Sequence, residues 1–295
     1  MDFSDQFTKI ETNDILMETA LHGSAAYPFR YYYENLALFD FNCIDWHWHN
    51  EFEFVYIACG DVSVDIGDSH FMLHTGQGIM INSKALHRFH SEGDAIIPNF
   101  LFKPSFIAPA ESRIYQKYVT PILSSSLEYI IFQENICWQA DVLNIMKEII
   151  SLQDTGCNRE LAVSMHIQQL WLLLLENVSF ETSNNKTTVI SRTRLQLMMQ
   201  YIHTHYSENI SLEDIANSAA ISKSSALHIF QTNIKMTPVN YLISYRLKQA
   251  ALLLIGTENK IAVVSSQTGF NNVDHFCRSF KKTYGVTPTD YRRQS

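Results

Sequence analysis

The chain has 295 residues, 46% of them apolar, enough to bury a sizeable core and about two domains long. Its net charge of −8 is segregated: residues 191–295 hold 12 of the 22 Lys and Arg but only 6 of the 30 Asp and Glu, leaving that tail +6 and the remainder −14. Five widely spaced cysteines without a Cys-x-x-Cys argue against a disulfide framework or a zinc finger. The opening Met1-Asp2-Phe3-Ser4-Asp5 lacks the basic and apolar regions of a signal peptide, and the longest apolar run, Leu170 to Leu175, is too short to span a bilayer. A cytoplasmic protein without membrane association is expected.

Residues from about Tyr27 to Phe102 are strand-like. The runs Phe52 to Ile57, Val62 to Ile66, Phe71 to Leu73 and Gly78 to Ile81 are β-rich and are punctuated by Gly60-Asp61, Gly67-Asp68 and Gly76. Short strands at regular spacing predict a barrel or sandwich. Residues 111–178 change to helical periodicity, with one stripe at Val142, Ile145, Met146, Ile149 and Ile150. A second stripe falls at Leu161, Met165, Ile167, Leu170, Trp171 and Leu174. Ser179 to Thr188 is polar and aperiodic, a linker.

The tail carries one motif twice. Phe230-Gln231-Thr232-Asn233-Ile234-Lys235-Met236-Thr237-Pro238 and Phe280-Lys281-Lys282-Thr283-Tyr284-Gly285-Val286-Thr287-Pro288 are offset by 50 residues. Ahead of each Phe lies a short apolar helix and a turn: Ile215-Ala216 then Ala220-Ile221-Ser222, and Val264-Ser265 then Gly269-Phe270-Asn271. Two helix-turn-helix units side by side predict two recognition helices presented to DNA. Local basic charge drives phosphate binding by counterion release, so the acidic total does not oppose this. Ser211 to Asp214 reads as a capping box, Thr237-Pro238 and Thr287-Pro288 as helix starts, and Gly256 and Gly285 as left-handed helix ends. Between the units Pro238 to Leu254 forms one helix, ~24 Å long at about 1.5 Å per residue.

This tail resembles the DNA-binding domain of the AraC-type transcriptional regulators over roughly residues 192–293. The second unit matches from Gly269-Phe270 to Tyr291-Arg292, and the linker helix matches at Tyr241, Arg246-Leu247, Ala250 and Leu253-Leu254. The resemblance implies an Arg two residues before each motif Phe, directed into the major groove. Arg278 fits in the second unit, whereas His228 occupies the place in the first. The second unit is therefore expected to supply more affinity, through Asn272, His275, Arg278, Lys281 and Lys282. The first makes weaker contacts through Ser224, Ser225 and His228.

The acidic part holds a second constellation: His47-Trp48-His49, then Glu53 and Gly60, and later Gly76-Gln77-Gly78, Asn82 and His87. It resembles the two motifs of a cupin barrel, in which two His, a Glu and a third His can coordinate a metal. On one strand His47 and His49 would share a face that Glu53 continues. In the AraC-type setting the resemblance implies a small-molecule effector site instead, so His47, His49, Glu53 and His87 are read as effector-binding, with no metal and no cofactor. Trp46 and Trp48 are either a sugar-stacking surface or barrel core.

The chain is thus read as α+β, with an N-terminal cupin-like β-barrel and following helices, then a C-terminal all-α tandem helix-turn-helix domain. Residues 1–180 form the effector-binding and dimerisation domain, with the barrel at about 20–104 and helices at about 111–178; residues 188–295 form the DNA-binding domain. The function is sequence-specific transcription regulation, an activator controlled by a small molecule such as a sugar, without catalytic residues. Expected partners are double-stranded DNA, the effector, a second copy in a homodimer, and RNA polymerase. The alternatives are a cupin metalloenzyme fused to a DNA-binding tail, and a ligand-independent regulator whose barrel only dimerises.

Overall fold

The computed structural model describes residues 10–13, 16–154, 158–180, 186–234 and 236–294, without the side chains of 186–189, 192 and 294. Met1 to Asp5, residues 181–185 of the expected linker, Cys157 and Lys235 lie outside the described residues. The chain divides into two compact units, Met1–Lys186 and Thr187–Ser295. No helix among the described residues is long and apolar enough to cross a membrane.

The first unit contains β1 (Phe29–Asn35), β2 (Cys43–His47), β3 (Phe52–Tyr56), β4 (Asp61–Ile66), β5 (Ser69–His74), β6 (Gly78–Ile81), β7 (His87–His90), β8 (Ile96–Phe102) and β9 (Tyr129–Phe132). They make two antiparallel sheets, in the orders β1-β8-β3-β6-β9 and β2-β7-β4-β5. Three helices follow or interrupt them: α1 (Thr120–Leu123), α2 (Cys137–Ser151) and α3 (Arg159–Asn177).

Side chains alternate across a strand, and β3 is covered on both sides, which is why its text is apolar throughout. Phe52 and Phe54 pack outward among residues of α2 and α3, including Val142, Met146, Ile167 and Trp171. Val55 and the following Ile57 point between the sheets, among Val62, Val64, Ile79, Phe89 and Ile97. Under the helices an aromatic row crosses the larger sheet, with centroids 5.9 Å apart for Phe29–Phe100, 5.4 Å for Phe100–Phe54 and 6.3 Å for Phe54–Phe132.

Two expectations for residues 111–178 are corrected. Tyr129 to Phe132 is not helical but pairs with β6, Gly78 opposite Phe132 and Ile81 opposite Tyr129. A four-residue run of Ile and aromatic side chains suits a strand, and it satisfies the backbone edge of β6. The buried stripe of α3 is Val163, Ile167, Leu170, Trp171 and Leu174, whereas Leu161 and Met165 are 75% and 60% exposed. At 3.6 residues per turn, 161 and 165 share a face with Leu172, away from 163, 167 and 170.

The second unit is all-helical: α4 (Lys186–His205), α5 (Leu212–Ser218), α6 (Lys223–Ile234), α7 (Pro238–Gly256), α8 (Ile261–Gln267), α9 (Val273–Tyr284) and α10 (Pro288–Gln294). The capping box at Ser211 and Asp214 is formed, and the Thr237 and Thr287 hydroxyls accept from the backbone N–H of Asn240 and Asp290. Gly285 closes α9 with φ +76. Gly256, expected to do likewise, is instead the last helical residue of α7, and Thr257 follows in extended conformation. The Thr257 hydroxyl donates to the Leu253 carbonyl and so ends the helix without a left-handed residue. α7, 19 residues and ~28 Å long, packs against α5, α6, α8, α9 and α10. Phe230, Phe270, Phe276 and Phe280 are buried in this unit, as are Ile215 and Val264.

The two helix-turn-helix turns are built alike. Ile221 N–H donates to Ala216 O and Ala220 N–H to Asn217 O; Phe270 N–H donates to Ser265 O and Gly269 N–H to Ser266 O. Both place a left-handed residue after the first helix, Ala220 at φ 52 and Gly269 at φ 78. A side chain at 269 would meet the Tyr206 carbonyl oxygen and the Arg246 guanidinium. Left-handed Ala carries about 1–2 kcal/mol of strain and Gly costs up to about 1 kcal/mol in chain entropy. Ala220→Gly is therefore expected to leave the second unit equally or more stable, by up to about 1 kcal/mol, in thermal melts followed by far-UV circular dichroism. Gly269→Ala, strained and without room for a methyl group, should lower the melting temperature.

Candidate effector site and DNA-facing helices

One end of the sandwich encloses a cavity of 340 Å³. Three residues of β1 on one face (Arg30, Tyr32, Glu34) line it, with Asn99 and Leu101 of β8, Glu53 of β3, and His47 and Phe89 of the smaller sheet. Ile44, Ile10, Glu11 and residues 18–22 form the rest of the wall. The path of residues 18–22 is fixed by main-chain bonds on either side of Trp48, from Trp48 N–H to Leu16 O at 3.0 Å and from Glu18 N–H to Trp48 O at 2.9 Å.

His47, His49, Glu53 and His87 do come together, but not by sharing one strand. β2 ends at His47; His49 lies in the turn beyond it; Glu53 belongs to the other sheet, facing inward between Phe52 and Phe54; and His87 opens β7 opposite His47. Each imidazole is held from behind by a backbone carbonyl. The Nδ1 of His47, His49 and His87 lie 2.8, 3.2 and 2.9 Å from the oxygens of Asp45, Glu51 and Ala85. One nitrogen of each of the three rings lies within 4.8 Å of the others. Glu53 Oε2 is 3.3 Å from His49 Nε2 and 3.1 Å from His87 Nε2. All four residues are at most 5% exposed.

This environment perturbs the charges. Burial, then the neighbouring His87, pushes the His47 imidazole down to about 3, so that ring is neutral near pH 7. Burial works to raise the Glu53 carboxyl, but the imidazoles of His49 and His87 override it and hold Glu53 well below the usual carboxylate range. Glu34 goes the other way: burial and then the charge of Glu53 push it up to about 8, while its Oε2 accepts from Asn99 Nδ2 at 2.6 Å. Glu18 and His22 form a pair 3.2 Å apart at the wall, and His22 Nδ1 is 3.0 Å from the Tyr32 hydroxyl.

Sequence reasoning missed Glu18, His22, Arg30, Tyr32, Glu34 and Asn99. His22 is 3% exposed beside the cavity. The period-2 run Arg30, Tyr32, Glu34 inside a strand was the available signal. Trp46 and Trp48 are buried and neither lines the cavity; the Arg88 guanidinium covers the Trp46 ring at 5.0 Å. Asn82 is structural, its amide donating to the carbonyls of Ile122 and Leu127.

In the second unit Ser224, Ser225 and His228 are exposed on α6, and His275, Arg278, Lys281 and Lys282 on α9. Asn272 precedes α9 as its N-cap, with Oδ1 accepting from the His275 N–H. Ser225 is part of the start of α6, bonded to Ser222. Arg278 lies back along its helix, Nε donating to the Asp274 carbonyl at 3.3 Å. Arg194 of α4, which the motif reading did not single out, lines one surface cleft with Ser224, Ser225 and His228. Two other basic residues are structural clamps. Arg246 donates to the carbonyls of Tyr206 and Glu208, and Arg292 to those of Leu254 and Asn259.

A β-sandwich with a lined cavity, joined to a tandem helix-turn-helix unit, defines a ligand-sensing DNA-binding protein. Residues 38–131 match the AraC-like ligand binding domain and residues 215–294 a helix-turn-helix domain. The HTH-type transcriptional regulator YdeC of Bacillus subtilis strain 168 is 31% identical over 253 residues, covering 84% of this chain and 86% of that protein. The HTH-type transcriptional activator RhaR of Mannheimia succiniciproducens is 24% identical over 249 residues, 83% of this chain and 86% of the relative. Among solved structures, ToxT from Vibrio cholerae with bound unsaturated fatty acid is similar at a TM-score of 0.42 and 14% identity, over 90% of this chain and 94% of that one. The chain belongs to the AraC-type family of DNA-binding transcriptional regulators with a small-molecule-binding domain, a family of regulators and not of enzymes.

Glu34 gives the first unit a pH signature. Below about pH 4.5 the carboxyl is protonated both folded and unfolded; from there to about 8 only the folded state keeps the proton, so stability falls as pH rises through that window. All four tryptophans, Trp46, Trp48, Trp138 and Trp171, lie in the first unit, so their fluorescence reports its unfolding. In urea melts from about pH 5 to pH 8, Glu34→Gln should lose less stability than the wild type. Parallel profiles would mean that Glu34 ionises normally in the fold.

Proposed function

We propose that the N-terminal region, about residues 1–180, is an effector-binding and dimerisation domain, and that residues 188–295 read promoter DNA under its control. The observation that carries this is the cavity beside His47 and Glu53. Its wall presents Glu18, Glu34, Asn99, Tyr32 and Arg30, a dense set of hydrogen-bonding groups suited to a polyhydroxylated ligand such as a sugar. His49 and His87 act from behind, fixing Glu53. Effector binding shifts the population of arrangements competent to engage DNA, two separate sites being coupled through one equilibrium.

On the DNA side, Asn272, His275 and Arg278 at the exposed start and middle of α9 address base edges, and Lys281 and Lys282 the phosphates. Ser224, Ser225 and His228 of α6 contribute weaker contacts. The exposed Leu161, Met165 and Leu172 on α3 support pairing with a second copy. Activation, through contact with RNA polymerase, is supported by the activator named among the relatives.

A thermal-shift screen of the full chain against sugars tests the effector class. A ligand at about 100 times its Kd stabilises by about 2.7 kcal/mol and should also change operator affinity; stabilisation without any change in DNA binding would refute the coupling. On DNA, affinity should fall steeply between low and moderate salt. Arg278→Ala is expected to cost about 1–3 kcal/mol of specific binding while sparing non-specific binding. His228→Arg, which adds a permanent cation to the first recognition helix, should tighten operator binding; no change would remove α6 from the interface.

A further inference from the structure

We propose that Arg194 of α4 supplies the phosphate contact that the first helix-turn-helix unit lacks. Its guanidinium, with the Ser224 and Ser225 hydroxyls of α6, grips one backbone phosphate of double-stranded DNA and so sets the depth and register of α6. This rests on the reading of α6 as a DNA-facing helix.

The two units are alike in backbone and unlike in charge. Residues 261–284 hold Arg278, Lys281 and Lys282 against Asp274, a balance of +2. The equivalent residues 211–234, fifty positions earlier, hold Glu213 and Asp214 against Lys223, a balance of −1. Lys223 is paired as well, its Nζ 3.1 Å from Glu213 Oε2. Phosphate binding is driven by the counterions that Lys and Arg displace, so a unit of this charge needs cations from another element. The sequence of α4 carries them: Lys186, Arg192 and Arg194, with no Asp or Glu in the helix. Those three positive charges set against −1 bring the first unit with its α4 to +2, the balance of the second unit.

Among the described side chains of α4, Arg194 is the cation that reaches α6. Leu195, Met198, Met199 and Ile202 are buried, and His203 Nε2 lies 2.8 Å from the Tyr241 hydroxyl of α7, so α4 is not free to turn about its axis. Next to Leu195 and one turn before Met198, Arg194 stands half-buried at the edge of the packed face. With Ile190 and Ser191 it forms one wall of a cleft of 530 Å³, and Ser224, Ser225, His228 and Ile229 form the other. Among the described residues no carboxylate pairs with Arg194. Ser222 Oγ accepts from the Ser225 N–H and lies 3.0 Å from Ser225 Oγ; with Ser222 as donor there, the Ser225 hydroxyl proton is left for a phosphate oxygen. A recognition helix fills a major groove about 12 Å wide, so a cation on the helix beside it meets the phosphates that border the groove. The planar guanidinium fork matches a phosphate through two parallel hydrogen bonds. Held in this way, α6 carries His228, one turn beyond Ser224, toward the base edges.

The full chain and its variants are compared on two double-stranded DNAs, a duplex that the wild type selects from a random pool and a duplex of arbitrary sequence. Arg194→Gln should weaken binding to both by a similar factor, roughly tenfold near 0.1 M salt, and lower the slope of log affinity against log salt by about 0.9, the counterion release of one phosphate. Arg194→Lys, which keeps the charge, should retain the slope and most of the affinity. Ethylation interference on the selected duplex should lose one phosphate position in Arg194→Gln and keep the others, a change that a purely structural role for Arg194 does not produce. Far-UV circular dichroism and melting establish that both variants fold. Unchanged affinity, slope and interference pattern in Arg194→Gln overturn the contact; if His228→Arg nevertheless tightens binding, α6 stays at the interface and Arg194 alone is removed from it. A loss confined to the selected duplex, with the slope intact, makes Arg194 a base reader and overturns the phosphate assignment. A wild type that selects no duplex fails at the DNA-facing reading itself and takes the Arg194 contact with it.

Discussion

β3 is buried on both faces, and the rest of the first unit is arranged around that fact. Phe52 and Phe54 are sealed under α2 and α3, Val55 is sealed between the sheets, and Glu53 is carried along on the inner face at the border of the cavity. Truncating a phenylalanine so placed costs about 3–5 kcal/mol. That packing energy is what keeps a carboxylate in a place it would otherwise leave, since an isolated buried charge is among the most expensive groups a fold can hold. The histidines around it, each tied to a main-chain carbonyl, make the placement tolerable and give it a fixed direction.

The cavity is assembled from pieces that are remote along the chain. Residues 16–22 reach it through main-chain bonding to Trp48, β1 through its pairing with β8, and His87 through β7 in the opposite sheet. A ligand held there would touch the N-terminal segment and both sheets at once. Differential contact of that kind is what a sensor requires if binding is to change the balance between two states of the protein.

The second unit shows how a duplicated motif can diverge in charge while its backbone stays the same. Both turns use the same pair of backbone bonds and the same left-handed position, one filled by Ala220 and one by Gly269. The cations have been redistributed. Arg246 and Arg292 are committed to carbonyl groups that lock α7 and α10 in place, whereas Arg278, Lys281 and Lys282 remain exposed on α9. On α6 the exposed face is mostly Ser and His, with Arg194 of α4 beside it.

The duplicated helix-turn-helix, its caps and the basic tail were legible without coordinates, because Thr-Pro starts, Ser211 with Asp214, and the Phe-to-Pro spacing act within a few residues of themselves. So were most strands of the first unit, and the gathering of His47, His49, Glu53 and His87, through a resemblance rather than through strand geometry. The fold decided what depends on distant partners. Tyr129 to Phe132 became a strand because β6 offered it an edge, and Leu161 and Met165 were left outside because Val163 faced the core. Gly256 stayed helical because Thr257 closed α7 in another way. Glu18, His22, Arg30, Tyr32, Glu34 and Asn99 became a cavity wall only once two sheets and an N-terminal segment met. Local chemistry fixes how a segment begins, ends and alternates; whether a polar side chain faces water or a lined cavity depends on which other segments pack over it.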